Sequence, residues 1–209
     1  YKSPQHDYGY DIADYKSIAP EYGTVEEFKE LLDAAHSKGL KIIMDLVINH
    51  TSDEHQWFIE SKKGKDNPYH DYYFWRKGKK PNGKKPPNNW LSTFAGPGWH
   101  YNENLDEWYL TLFAKEQPDL NMDNPKVREE IKDIIRFWLD MGADGFRVDM
   151  ADSLVKNDKD KKATARIWRD VRDMLDKDYP EAAFVAEWCY PERAILDGGF
   201  HMDFYLDHY

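Results

Sequence analysis

The sequence predicts an α/β architecture built on a parallel sheet. Three observations carry this expectation. Helix and strand signals alternate along most of the 209-residue chain. The strand segments are short, nearly continuous apolar runs, as expected where both faces of a sheet are covered. The alternation itself is the signature of parallel α/β folds, whose right-handed crossovers set successive strands side by side.

The elements follow in order. A first helix is expected over residues 24–38. Thr24 and Glu27 form a capping-box pattern, Gly39 stands where a terminating glycine belongs, and Val25, Phe28, Leu31, Leu32 and Ala35 make one apolar stripe. Residues 40–48 read as a strand buried on both faces. A second helix starts at Asn124-Pro125, an N-cap followed by an N1 proline. Its buried face is Val127, Ile131, Ile134, Ile135, Trp138 and Leu139, and Gly142 ends it. A strand over 144–150 follows. A third helix over 161–177 turns Ile167, Val171, Met174 and Leu175 inward and stops before Pro180. A strand over 182–188, a short helix near 191–196 and a candidate strand over 200–206 complete the reading.

One connection breaks this rhythm. More than 70 residues separate the first strand from the second helix, and a structureless loop of that length is rare in a compact domain. Residues 51–123 are therefore expected to be an inserted subdomain, between an α/β part at 1–50 and another at 124–209. That insert holds 14 of the chain's aromatic residues. Such density points to a surface that stacks on flat ligand faces, to an aromatic core of its own, or to both.

Composition excludes several classes. The formal net charge of −10 disfavours a nucleic-acid partner. The Lys-rich stretch at 77–85 is interleaved with Pro and Gly and reads as a solvated loop. No window approaches the roughly 18 consecutive apolar residues of a membrane helix, so no membrane partner is expected. No secretory leader opens the chain, and a cytoplasmic setting is the expectation. The single cysteine, Cys189, rules out an internal disulfide and is expected to be a small buried hydrophobe. The eight His are scattered, with no H-E-x-x-H, so no catalytic metal or other cofactor is expected.

Chemistry-bearing residues collect at the strand ends. The first strand ends at Asn49-His50, the second at Arg147-Val-Asp149 and the third at Glu187-Trp188. In a parallel barrel these ends face one mouth, where active sites form. Two carboxylates and an Arg suit acetal chemistry: one ionised carboxylate attacks the anomeric carbon, and a second, protonated, donates to the leaving oxygen. Arg147 stands two residues before Asp149, on the same strand face, and its guanidinium favours the ionised carboxylate a nucleophile needs. Phe184, Val185, Ala186 and Trp188 surround Glu187 with apolar groups, which favours the protonated carboxyl of a general acid. Taken singly, Arg147–Asp149 also reads as a structural ion pair and Glu187 as a rim salt bridge. Delivered together by successive strands, they read better as a site.

These residues also carry a resemblance. Asp45-Leu-Val-Ile-Asn-His50, Gly145-Phe-Arg-Val-Asp149 and Val185-Ala-Glu187 resemble three ordered signature blocks of the α-amylase superfamily of glycoside hydrolases. Asp7-Tyr-Gly-Tyr-Asp-Ile12, Asn49-His-Thr-Ser-Asp-Glu-His-Gln-Trp57 and Gln117-Pro-Asp-Leu-Asn121 are similar to the oligo-1,6-glucosidase and α-glucosidase branch. The resemblance implies a TIM barrel with a small domain inserted after the third strand. It implies Asp149 as nucleophile, Glu187 as acid/base, Arg147 holding Asp149, and Asp45 as support beneath the site. It places His50, Asp7 and Tyr10 at the sugar subsite, with Tyr10 stacking on the ring. Phe94, Phe113 and Gln117 match inserted-domain contacts. The implied partner is an α-linked oligosaccharide or α-glucan, cleaved with retention. The resemblance allows a structural calcium in a full-length protein, with no residue here assigned to it.

The chain departs from the pattern too. The family has a third catalytic Asp in an Asn-His-Asp block, and Leu206-Asp-His208 has the wrong order for it. The resemblance implies a chain truncated at both ends, with about four of eight strands, the other barrel parts as its missing partners, and no activity by itself. Met150, after the nucleophile, stands where related glucosidases tune linkage choice. A transglycosylase or isomerase of the same superfamily, such as a trehalose synthase, is the alternative. A non-catalytic binding relative would have lost the acid pair, and an aldolase or enolase-like barrel would call for a strand-end Lys or Mg²⁺ ligands.

Overall fold

The computed structural model describes residues 1–204. In chain order the elements are α1 (Val25–Ser37), β1 (Ile43–Leu46), α2 (Gln56–Ser61), β2 (Trp75–Arg76), β3 (Trp99–Asn102), β4 (Glu107–Leu110), α3 (Pro125–Met141), β5 (Gly145–Val148), α4 (Lys162–Asp178), β6 (Ala183–Ala186) and β7 (Met202–Asp203). A 3-10 turn at His70–Tyr72 and a π-type turn at Glu192–Asp197 lie between them. The end of the expected fourth strand, residues 205–206, and the Leu206-Asp-His208 segment lie outside the described residues.

The chain divides into two compact units, Tyr1–Ser17 with His50–Val127, and Ile18–Asn49 with Arg128–Tyr209. The second holds a four-stranded sheet in the order β1-β5-β6-β7, every pair parallel. Asp45 is in register with Arg147, and Arg147 with Val185. The expected helices are present. Thr24 caps α1 through a capping box: its Oγ accepts the Glu27 N–H at 3.1 Å, and Glu27 Oε2 accepts the Thr24 N–H at 2.8 Å. Asn124 Oδ1 accepts the Lys126 N–H at 3.0 Å and starts α3. Ile131, Ile134, Ile135, Trp138 and Leu139 are all buried, and Phe28 of α1 meets Trp138 edge-on. The first turn of α4 is capped from a distance, with Asp158 accepting the Ala163 and Thr164 N–H groups.

Three expectations are corrected. Leu31 is exposed, because it stands about 65° from the centre of a stripe set by Leu32, Ala35 and Phe28 at 100° per residue. Trp168, not Ile167, fills the buried face of α4 beside Val171 and Leu175. The run at 40–48 is not buried on both faces: Leu40 and Ile43 are exposed, and burial begins at Leu46. The reason is position, since β1 is an outer strand of the sheet among the described residues.

The first unit is built around aromatic rings. Its antiparallel sheet has the order β2-β4-β3. Phe74, Trp99 and Leu110 form a buried core, with Trp90, Trp108 and Leu112 packed against it. Trp75 lies between the rings of Phe58 and His70 and donates its indole N–H to Ser61 Oγ at 2.7 Å. Phe58, Tyr72, Tyr73, Phe74, Trp75 and Trp99 of the 51–123 segment are buried, while Phe94 stays exposed.

Candidate active site

The parallel sheet brings four of the expected site residues together. At the ends of β1, β5 and β6 the guanidinium of Arg147 meets three carboxylates. Nη1 donates to Asp45 Oδ1 at 2.8 Å and to Asp149 Oδ1 at 2.9 Å, and Nη2 lies 2.9 Å from Glu187 Oε2. Glu187 Oε2 also accepts the Met150 N–H at 3.0 Å. The backbone fixes both acids to neighbouring strands. The Asp149 N–H donates to Leu46 O, the Glu187 N–H to Val148 O, and Glu187 O accepts from Ala151. Asp149 is buried, at 9% exposure.

Electrostatics correct one expectation here. Arg147 was expected to hold Asp149 ionised. Instead, burial pushes the Asp149 carboxyl up, to about 7; Arg147 pulls it down, and the Glu187 and Asp45 carboxylates push it up again. One guanidinium serving three carboxylates leaves negative charge uncompensated, which adds to the upward push of burial on the Asp149 carboxyl. Glu187 is corrected as well. Its carboxylate rests on Arg147 and a backbone N–H, not in an apolar surround.

The other six expected residues all lie in the aromatic unit and form a chain of contacts there. Gln117, fully buried, donates from Nε2 to Asp7 Oδ2 at 2.9 Å and lies 3.0 Å from His50 Nε2. Its Oε1 accepts the Ala114 N–H at 2.9 Å, which orients the amide. His50 Nε2 lies 3.1 Å from Tyr10 O. Phe113 packs on His50 with ring centroids 5.1 Å apart, and Phe94 meets Phe113 edge-on at 5.7 Å.

Sequence reading missed several supporting groups. Asp11 is fully buried and accepts from Ser3 Oγ and from the His6 and Asp7 N–H groups, which ties down the loop that carries Asp7. Asn49 Oδ1 meets Lys156 Nζ at 2.7 Å and Ser153 Oγ at 2.8 Å, and Lys156 also donates to Ser153 O. These contacts fasten the segment after Asp149 to the end of β1. Asp11 and Asn49 both lie inside the blocks quoted above, so their positions were visible while their partners were not. Cys189 is exposed, not buried. β6 ends at Ala186, and Cys189 falls in a turn with φ 59°. Among the described residues no group of three or more His, Cys, Asp or Glu side chains is arranged to hold a metal ion. No helix among the described residues is long and apolar enough to cross a membrane.

Comparison with known proteins gives consistent likenesses. Residues 1–195 match the family description "Alpha amylase, catalytic domain". The chain is 58% identical over 156 residues to the oligo-1,6-glucosidase of Parageobacillus thermoglucosidasius, covering 75% of this chain and 27% of that protein. It is 52% identical over 156 residues to the alpha-glucosidase of Pediococcus pentosaceus, with 75% and 28% covered. The crystal structure of the isomaltulose synthase from Protaminobacter rubrum superposes with a TM-score of 0.89 at 35% identity, over 98% of this chain and 40% of that one.

Proposed function

Because the chain belongs to the alpha-amylase family of catalytic domains, we propose that the protein hydrolyses α-glucosidic bonds of α-linked oligosaccharides or α-glucans with retention of configuration. Asp149 is the nucleophile and Glu187 the acid/base. The observation that carries this reading is the carboxylate pair held by one arginine at the ends of adjacent parallel strands. Likeness to oligo-1,6-glucosidases and alpha-glucosidases supports it, although the chain spans only 27–28% of those relatives' length.

The chemistry balances on one proton. The acid role requires Glu187 to enter the step protonated, its O–H donating to the glycosidic oxygen, while Asp149 enters it ionised. Glu187 gives its proton to the leaving oxygen while an Asp149 oxygen bonds to the anomeric carbon and the glycosidic C–O bond breaks. Glu187, now ionised, takes a proton from water; that oxygen attacks the same carbon and releases Asp149. Arg147 holds both carboxylates in place and Asp45 braces Arg147. Within the aromatic unit, Asp7, Gln117 and His50 are the groups suited to sugar hydroxyls, and Tyr10, Phe113 and Phe94 those suited to sugar ring faces. The protein acts in the cytoplasm in this reading, and cell fractionation tests that part.

Two substitutions in the full-length protein test the assignment. Asp149→Asn should abolish turnover of every α-glucoside. Glu187→Gln should cut kcat on isomaltose or maltose by about 100-fold or more, and cost an aryl α-glucoside far less, because an activated leaving group needs little acid. Equal losses on both substrates would remove Glu187 from the acid role. The likeness to isomaltulose synthase favours one second reading, sugar transfer within the same site. Product analysis with sucrose separates it from hydrolysis.

A further inference from the structure

Building on the acid/base role proposed for Glu187, we propose that Asp203, at the end of β7, is a positioning residue for it, gathering the backbone N–H groups of the turn that follows β6. Asp203 Oδ1 accepts from Trp188 N at 2.8 Å, Cys189 N at 3.3 Å and Phe204 N at 2.9 Å, and Oδ2 accepts from Tyr190 N at 2.8 Å. Three consecutive N–H groups, beginning at the residue after Glu187, thus converge on one carboxylate from the neighbouring strand.

The geometry explains why the turn is strained and what holds it. Ala186 and Asp203 are register partners across β6 and β7. The chain must leave the sheet at Glu187 without carrying Trp188 outward, since Trp188 is buried against Phe200. It does so by placing Cys189 at φ 59°, a left-handed conformation that costs a non-glycine residue about 1 kcal/mol. A left-handed residue within a turn aims successive N–H groups to one side and forms an anion-binding concavity. Asp203 fills that concavity with a charge. Glu187 is then gripped from both sides: its backbone by Val148 of β5 and by Ala151 beyond that strand, and its exit by Asp203. A carboxyl that must reach a leaving oxygen within hydrogen-bond distance needs this second grip, because a small misplacement of a catalytic group is costly in rate.

The test uses Asp203→Asn in the full-length protein, beside Glu187→Gln. Asn keeps the shape and one acceptor, but sets an NH₂ group against the turn's N–H groups. The expected result is a loss of about tenfold or more in kcat on isomaltose or maltose, with p-nitrophenyl α-glucoside within about threefold of the parent. Cys189→Val, which disfavours the left-handed turn while leaving Asp203 intact, should show the same selective loss and covers the case in which Asp203→Asn does not fold. A loss equal on both substrates and tracking the folded fraction would overturn the positioning role. If Glu187→Gln shows the leaving-group dependence and neither of the other variants does, only the role of Asp203 falls. If Glu187→Gln itself shows none, the acid/base assignment and this inference fall together.

Discussion

At the scale of single residues, the crowding around Arg147 sets a testable pH behaviour. Three carboxylates share one guanidinium, and burial holds the Asp149 carboxyl up at about 7. A raised folded-state value means that Asp149 contributes stability below its unfolded value of about 3.9, and this contribution is lost as pH rises through 7. A nucleophile must be ionised, so kcat/KM should fall as pH drops through about 7. Asp149→Asn, although inactive, should be more stable than the parent at pH 8, by about 1–2 kcal/mol in a denaturant titration. A variant less stable than the parent at that pH would show that the cluster binds its carboxylates more strongly than it strains them. This strain was not legible in the sequence. Spacing put Arg147 and Asp149 on one face, but the share of the guanidinium taken by Asp45 and Glu187 depends on strand register, which no single segment encodes.

At the scale of elements, the helices were the most legible part, because capping and periodicity are local: Thr24, Asn124 and Gly142 stand where their backbone demands predict. The strands were legible as short apolar runs, but their edges were not. Burial of residues 40–48 depends on which strands flank β1, and the exposure of Cys189 depends on where β6 stops pairing. Gly145 shows how a motif residue can answer to the sheet instead of the chemistry. It has φ +150°, and a Cβ there would sit 1.9 Å from Ala183 O. Gly145→Ala must push β6 away from β5 and so loosen both strands that carry the acids. The expected cost is about 3 kcal/mol or more, read as a lowered denaturation midpoint, with activity lost at temperatures where the parent is fully folded. A neutral effect on the midpoint would mean the two strands separate easily, and the acid pair would then be less firmly held than its hydrogen bonds suggest.

For the molecule as a whole, one buried group in each compact unit should respond to acid in the opposite direction to the other. In the sheet unit, Asp149 gains stability as pH falls from 7 toward 4. In the aromatic unit the relevant group is His55, the N-cap of α2, whose Nδ1 accepts the Trp57 N–H at 3.1 Å while its ring packs between Tyr15 and Trp57. Burial pushes it down to about 4, with Asp14 pulling the other way. A depressed histidine contributes stability above its unfolded value of about 6.5, and loses it as pH falls through 4, for at most about 3 kcal/mol. Protonation also removes the acceptor that caps the helix, since both ring nitrogens then donate. Hydrogen exchange, corrected for intrinsic rates, should show the Gln56–Ser61 amides losing protection between pH 6.5 and 4 before those of β5 and β6. His55→Asn keeps an N-cap acceptor without the titration, and should flatten that pH dependence. If α2 and the parallel strands lose protection together at every pH, the units unfold as one, and the opposed titrations of His55 and Asp149 would offset each other in a single transition instead of separating two.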